Sequence, residues 1–119
     1  KLPRYTAARR RAAERYTEAL EATPSVLAPI EPPNARHVYH QYTVRTPHRE
    51  HFREYLDRND VDTGIYYPRP IHRQPAYDVQ TTLPVAEQAA EEVCSIPVHP
   101  GLSDAEIDTI ATLLEEYEP

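Results

Sequence analysis

Between Thr63 and Tyr77 the chain reads TGIYYPRPIHRQPAY, a run that places Tyr66, Tyr67, Arg69, His72, Gln74 and Tyr77 on a backbone stiffened by Pro68, Pro70 and Pro75. Proline fixes φ and gives up its N–H, so the segment is expected to stay extended and to leave the polar work to those side chains. Phenols, a guanidinium, an imidazole and a carboxamide at that density suggest one wall of a binding cleft. Arg69 and Arg73 have the forked donors that suit phosphate oxygens, although surface arginines are more often simply solvated. The wall comes without a nucleophilic amine. Lys1 is the only lysine, at the head of the chain, so no internal residue can form a Schiff base or the lysine contact of a P-loop. Gly64 and Gly101 are the only glycines, which excludes a glycine-rich phosphate loop.

Other reactive types are sparse. His48 and His51 have the spacing of half a metal site, but no third ligand accompanies them, and no metal is expected. His40 falls on the same predicted strand face as Val38, Tyr42 and Val44, which favours a hydrogen-bonded core histidine over a catalytic one. Cys94 stands alone at the end of an apolar helix face and reads as a small buried residue, so neither a disulfide nor a four-ligand zinc site is expected. Ser95 lacks the G-x-S-x-G turn of an exposed nucleophile. No catalytic residue is assigned within the chain.

The 119 residues suffice for a single domain with one modest core. Nine of the ten aromatic residues are tyrosine, so the core is expected to be aliphatic with tyrosines at its edges. A net charge of −6 opposes a nucleic-acid backbone. Arg4, Arg9, Arg10, Arg11 and Arg15 do cluster near the start, but no stacking platform or recognition motif joins them, and a solvated or subunit-facing helix side is expected. Neither a long apolar run nor a signal-peptide core is visible, so the expectation is a cytoplasmic protein with no membrane partner.

The elements that must carry the wall follow from periodicity. Thr6 to Leu20 reads as a helix with Tyr5, Ala8, Ala12, Tyr16 and Leu20 on one stripe. Prolines at 24, 29, 32 and 33 make the next stretch a connector or an edge segment. His37 to Arg45 alternates as a strand, and His48 to Asn59 reads as a helix burying Phe52, Tyr55 and Leu56, with Arg53 and Asp57 paired on its outer side. Asp62 to Tyr67 reads as a second strand, in which Gly64 marks a bulge or a close backbone approach. The loop Pro68 to Thr81 follows, and a structureless loop of that length tends to be functional. A helix opening at Thr82-Leu83-Pro84 buries Ala86, Ala89, Ala90 and Val93. Ser95 to His99 is a third short strand, and a capping box at Ser103–Glu106 starts a last helix burying Ile107, Ile110, Ala111 and Leu114. The order predicts an α+β domain, a small and mostly antiparallel sheet with about four helices packed on it.

Taken together, His37-Val38-Tyr39-His40-Gln41-Tyr42, the run Thr63 to His72, Leu83-Pro84-Val85-Ala86-Glu87, and Ser95 to Pro100 with Leu102-Ser103 resemble the C-terminal small domain of the pyridoxal-phosphate sugar-nucleotide aminotransferases of the DegT/DnrJ/StrS type. Order and spacing agree from about residue 1 to residue 117. The resemblance implies a fold-type-I enzyme, usually a homodimer, that moves an amino group from glutamate to a nucleotide-linked keto-sugar. It implies that pyridoxal phosphate is held mainly by a preceding large domain, absent here, which carries the Schiff-base lysine. Residues 1–119 are then one small domain, inactive alone, whose substrate and cofactor cleft residues are Tyr66, Tyr67, Arg69, His72 and Gln74. Many members carry His-Tyr-Pro where this chain has Tyr66-Tyr67-Pro68, and a tyrosine cannot become a cation near neutral pH. Two other readings stay open: a non-catalytic interaction module with the same fold, and the small domain of a sugar dehydratase that uses the coenzyme without a lysine.

Overall fold

The computed structural model describes residues 1–77 and 79–119; Asp78, within the predicted loop, lies outside them. The described elements are α1 (Leu2–Leu20), β1 (Tyr42–Arg45), α2 (Arg49–Asp57), a single 3-10 turn (Ile71–Arg73), α3 (Pro84–Glu92), β2 (Val93–Ile96) and α4 (Asp104–Glu115). Four helices around a small antiparallel sheet make this the α+β domain that the patterning predicts.

The helices form where apolar spacing and end signals agree. α1 begins four residues before the predicted Thr6, because Pro3 occupies the first turn, where a missing N–H costs nothing. Its buried stripe is Thr6, Ala12, Ala13, Tyr16, Ala19 and Leu20, and Tyr5 stays outside it. α4 starts at the predicted capping box: the Ser103 hydroxyl accepts from the Glu106 N–H at 3.2 Å, while the Glu106 carboxylate accepts from the Ser103 N–H at 2.8 Å. α1 packs on α4 over a core that includes Tyr16, Tyr42, Phe52, Leu56 and Leu114, all fully buried.

Tyr16 and Tyr42 stay in the core because their hydroxyls find partners. Tyr16 donates to the Pro97 carbonyl at 2.9 Å, and the Tyr42 hydroxyl shares a 2.8 Å hydrogen bond with Thr17 Oγ1. Burial pushes the Tyr42 phenol up to about 12 and that of Tyr16 upward as well, so both remain protonated donors.

β1 and β2 pair antiparallel, with Tyr42 opposite Ile96, Thr43 opposite Ser95, Val44 opposite Cys94 and Arg45 opposite Val93. A single bridge from Leu27 to Arg45 extends the pair on one side, and a bridge from Gly64 to Ser95 extends it on the other. The predicted strand at 62–67 is therefore one bridge, and the predicted strand at 95–99 lies at 93–96, because the backbone already turns extended at Val93, where α3 ends.

The strand predicted from His37 shortens to Tyr42–Arg45 for a local reason. Tyr39 has a left-handed φ of 47°, its N–H donates to His37 Nδ1 at 2.9 Å, and the two rings stack at 4.1 Å. This turn reverses the face. Tyr39 is buried whereas Val38 and His40 are exposed, so His40 is not the core histidine that the alternation suggests. Arg53 also departs from its predicted partner, donating to Thr63 Oγ1 at 3.0 Å and pairing with Glu50.

Three of the clustered arginines are tied to the chain itself. Arg10 donates to both oxygens of Glu31 and to the His37 carbonyl, Arg9 reaches the Val38 carbonyl, and Arg15 bridges to Asp108 and Glu115 of α4. The Arg10 guanidinium, helped by the His37 N–H, lowers the Glu31 carboxyl from 4.5 to about 2. Because the folded value lies below the unfolded one, this stabilisation is complete above about 4.5 and disappears as pH falls toward about 2. Acid titration followed by circular dichroism should show a loss of thermal stability in that window, and Glu31→Gln should remove the Glu31 share of it while leaving that of the Glu87, Glu92 and Glu106 carboxyls, which are lowered as well. In the core, Leu114→Ala should cost about 3 kcal/mol by urea unfolding, since it removes a fully buried side chain and leaves a cavity.

Candidate functional site: a cleft between the proline-rich loop and the third helix

The loop does not stay extended as its prolines suggest. From Pro70 it closes into the 3-10 turn, with Arg73 N–H bonded to the Pro70 carbonyl and Gln74 N–H to the Ile71 carbonyl, both at 3.0 Å. A further turn follows, with Tyr77 N–H donating to the Gln74 carbonyl and Val79 N–H returning to the His72 carbonyl. Compact turns replace extension because proline also suits the start of a 3-10 turn, where no N–H is required. The consequence is that His72 points inward, only 7% exposed.

His72 meets Glu87 there. Its Nε2 lies 2.8 Å from Glu87 Oε1, and the same oxygen accepts from Arg73 Nη2 and from the Leu83 N–H, each at 3.2 Å. The carboxylate thus caps the start of α3 and holds the 3-10 turn against it. Hydrogen bonding from His72 above all, then from Leu83, keeps the Glu87 carboxyl below its usual range.

Between loop and helix lies an open cavity of about 580 Å³. Tyr66, Tyr67, Arg69 and His72 line it from the loop side, joined by Tyr77 and Val79; Leu83, Ala86, Ala89 and Val93 form the opposite wall. Gln74 takes another part: its Nε2 donates to the Arg69 carbonyl at 3.1 Å and closes the loop on itself. Four of the five predicted cleft residues therefore share one cavity.

The alanine face of α3 also differs from expectation. Ala90 is buried, but Ala86 is exposed and Ala89 and Val93 are half-buried, because this face opens onto the cleft. Small residues here make a broad hollow. Sequence periodicity identifies such a face as apolar without telling whether protein or open space lies against it. Glu87 is the residue missed by the sequence reading, although an acid four positions after Leu83, at a helix start, is a visible signal.

Tyr66 stands between this cavity and a second of about 450 Å³ lined by His40, Gln41, Asp62, Thr63 and Ser95. Gly64 makes that position possible: a Cβ there would lie 2.7 Å from the outer edge of the Tyr66 ring. Close approach, rather than a bulge, is the reason for glycine. The Tyr66–Tyr67 peptide is cis, and the two rings meet edge to face at 5.8 Å.

Among the described residues no group of three His, Cys, Asp or Glu side chains could hold a metal ion. His51 bonds through Nδ1 to the Tyr117 hydroxyl at 3.0 Å, and Cys94 is fully buried, which pushes its thiol up. No helix among those residues is long and apolar enough to cross a membrane.

Gly64→Ala should displace the half-exposed Tyr66 ring and leave the core intact. The expected outcome is a stability change within about 1 kcal/mol and a clear shift of the Tyr66 ring resonances in proton NMR.

Residues 1–115 match the sequence profile of the DegT/DnrJ/EryC1/StrS aminotransferase family. The chain is 39% identical over 115 residues to a UDP-N-acetyl-3-dehydro-alpha-D-glucosamine 3-aminotransferase of Acidithiobacillus ferrooxidans, an alignment covering 95% of this chain and 31% of that protein. It is 35% identical over 122 residues to a pleiotropic regulatory protein of Geobacillus stearothermophilus, covering 98% of this chain and 33% of that one. Among solved structures, DesV of S. venezuelae superposes with a TM-score of 0.88 at 32% identity, across 94% of this chain and 31% of DesV. The chain thus spans about a third of the length of the relatives it matches. It belongs to the DegT/DnrJ/EryC1/StrS aminotransferase family.

Proposed function

We propose that this chain is the small domain of a pyridoxal-phosphate-dependent sugar-nucleotide aminotransferase, which transfers an amino group from glutamate to a nucleotide-linked keto-deoxysugar. The observation that carries this reading is the open cleft, whose loop wall gathers two tyrosines, an arginine and a histidine against an apolar helix face. Family membership supports the reaction class.

The residues present do not fit a complete coenzyme site. A carbonyl coenzyme needs an amine for covalent attachment, and the only lysine heads α1, while the cleft offers phenols, a guanidinium and an imidazole. In this proposal a large domain of the same enzyme supplies that lysine and the phosphate cradle, and the intact enzyme is a homodimer. When bound, pyridoxal phosphate supplies the electron sink for the reaction.

The roles of this chain's residues follow from their surroundings. The Tyr66 and Tyr67 hydroxyls serve sugar hydroxyls as donors or acceptors, and their rings shield one side of the cleft from water. Arg69 offers a forked pair of donors to a diphosphate. Gln74 holds the Arg69 backbone in place. His72 lines the cleft while its Nε2 is engaged by Glu87.

In the enzyme containing this chain, His72→Ala should raise KM for the nucleotide-sugar about tenfold while the glutamate half-reaction changes little; equal losses in both halves would refute a substrate-side role. The 119-residue chain by itself should neither take up the coenzyme nor aminate a ketose, as absorbance and product assays would show. Its open cleft and exposed Ile71, Tyr77 and Leu83 should also make it self-associate, whereas a dilution-independent monomer in sedimentation would argue against a missing domain.

A further inference from the structure

The strongest unassigned arrangement is the convergence of three donors on one oxygen. His72 Nε2, Arg73 Nη2 and the Leu83 N–H come from two separate segments, and they meet at Glu87 Oε1. We propose that Glu87 is a positioning residue: its carboxylate sets the spacing of the two cleft walls and holds His72 with its proton on Nε2.

Three observations make the case. An ionised carboxylate only accepts hydrogen bonds, so the short contact to His72 requires a proton on Nε2, and in the neutral ring it leaves Nδ1 as the acceptor. Arg73 and His72 both belong to the 3-10 turn, so two bonds to one oxygen fix the orientation of the turn as well as its distance from α3. The Leu83 N–H is an otherwise unmatched donor at the helix start, and by accepting from it Glu87 holds its own side chain across the entrance of α3. Glu87 itself does not line the large cavity, whereas His72 and Leu83 do. It acts through them.

The role concerns the substrate wall of the proposed aminotransferase and rests on that reading, but its first test does not. In the 119-residue chain, long-range proton–nitrogen NMR at neutral pH should show His72 as the Nε2–H tautomer. Glu87→Ala should shift it to a mixture, while Glu87→Gln, whose amide oxygen can still accept, should keep it. A neutral His72 protonated on Nδ1, or a tautomer indifferent to Glu87→Ala, overturns the proposal.

The second test uses the whole enzyme. Glu87→Ala should raise KM for the nucleotide-sugar about tenfold, consistent with the loss of charge-assisted hydrogen bonds, and leave the glutamate half-reaction within about threefold, with Glu87→Gln recovering most of the loss. A fall in melting temperature with no change in KM would reduce Glu87 to a structural residue and overturn the positioning role. An enzyme that ignores nucleotide-sugars altogether would refute the aminotransferase reading, and the tautomer measurement would still decide the role of Glu87.

Discussion

Ser95 and Gly64 exchange two backbone hydrogen bonds, at 2.7 and 2.9 Å, and the position of the cleft depends on that exchange. Ser95 sits in β2, paired across the sheet with Thr43, and their hydroxyls meet at 2.8 Å. The chain leaving Gly64 is therefore tethered to the most buried part of the fold. Tyr66 folds back over the glycine, and the proline-rich loop starts from a defined point. Its 3-10 turn is tied by Glu87 to α3, and α3 runs straight into β2. Both ends of the wall thus refer to the same strand.

This arrangement divides the molecule into a closed part and an open part. The closed part holds α1, α4 and the inner face of the sheet, where the Tyr16, Tyr42 and Tyr117 hydroxyls have partners and no buried side-chain polar atom among the described residues lacks one. The open part is the loop and the outer face of α3, where Tyr67, Ile71, Tyr77 and Leu83 are exposed. Burying such side chains is worth roughly 1.5–3 kcal/mol each, a gain this chain leaves unrealised. Under the proposed function, this is the surface that another part of the enzyme would cover.

Local signals were legible where a residue type favours one helix end or one helix face. The capping box at Ser103 and Glu106, the proline opening α3, and Ala12, Tyr16 and Leu20 of the expected α1 stripe all act within one or two helical turns and appear as expected, whereas Tyr5 of that stripe is exposed and Ala8 is half-buried. The loop was legible as a site candidate from its composition, and four of the five residues named for the cleft share a cavity. Less legible were a turn whose contacts leave no period in the sequence and whatever is set by a partner distant in sequence. The alternation from His37 to Arg45 pointed to a full strand, but stacking of His37 on Tyr39, with Arg10 of α1 bonded to the His37 carbonyl, stabilises a turn instead.

Residue types and spacing alone determined the α+β class, the four helices, the family resemblance and the lack of an internal lysine, because each rests on covalent identity or short-range periodicity. Only the tertiary structure decided that His72 faces Glu87, that Gln74 braces the loop, that His40 is outside the core, and that the alanine face of α3 borders open space. Those outcomes depend on how the loop turns back on itself and on which segments then meet. A hydrogen bond or a hollow between residues far apart in the chain leaves no period in the sequence from which it could be read.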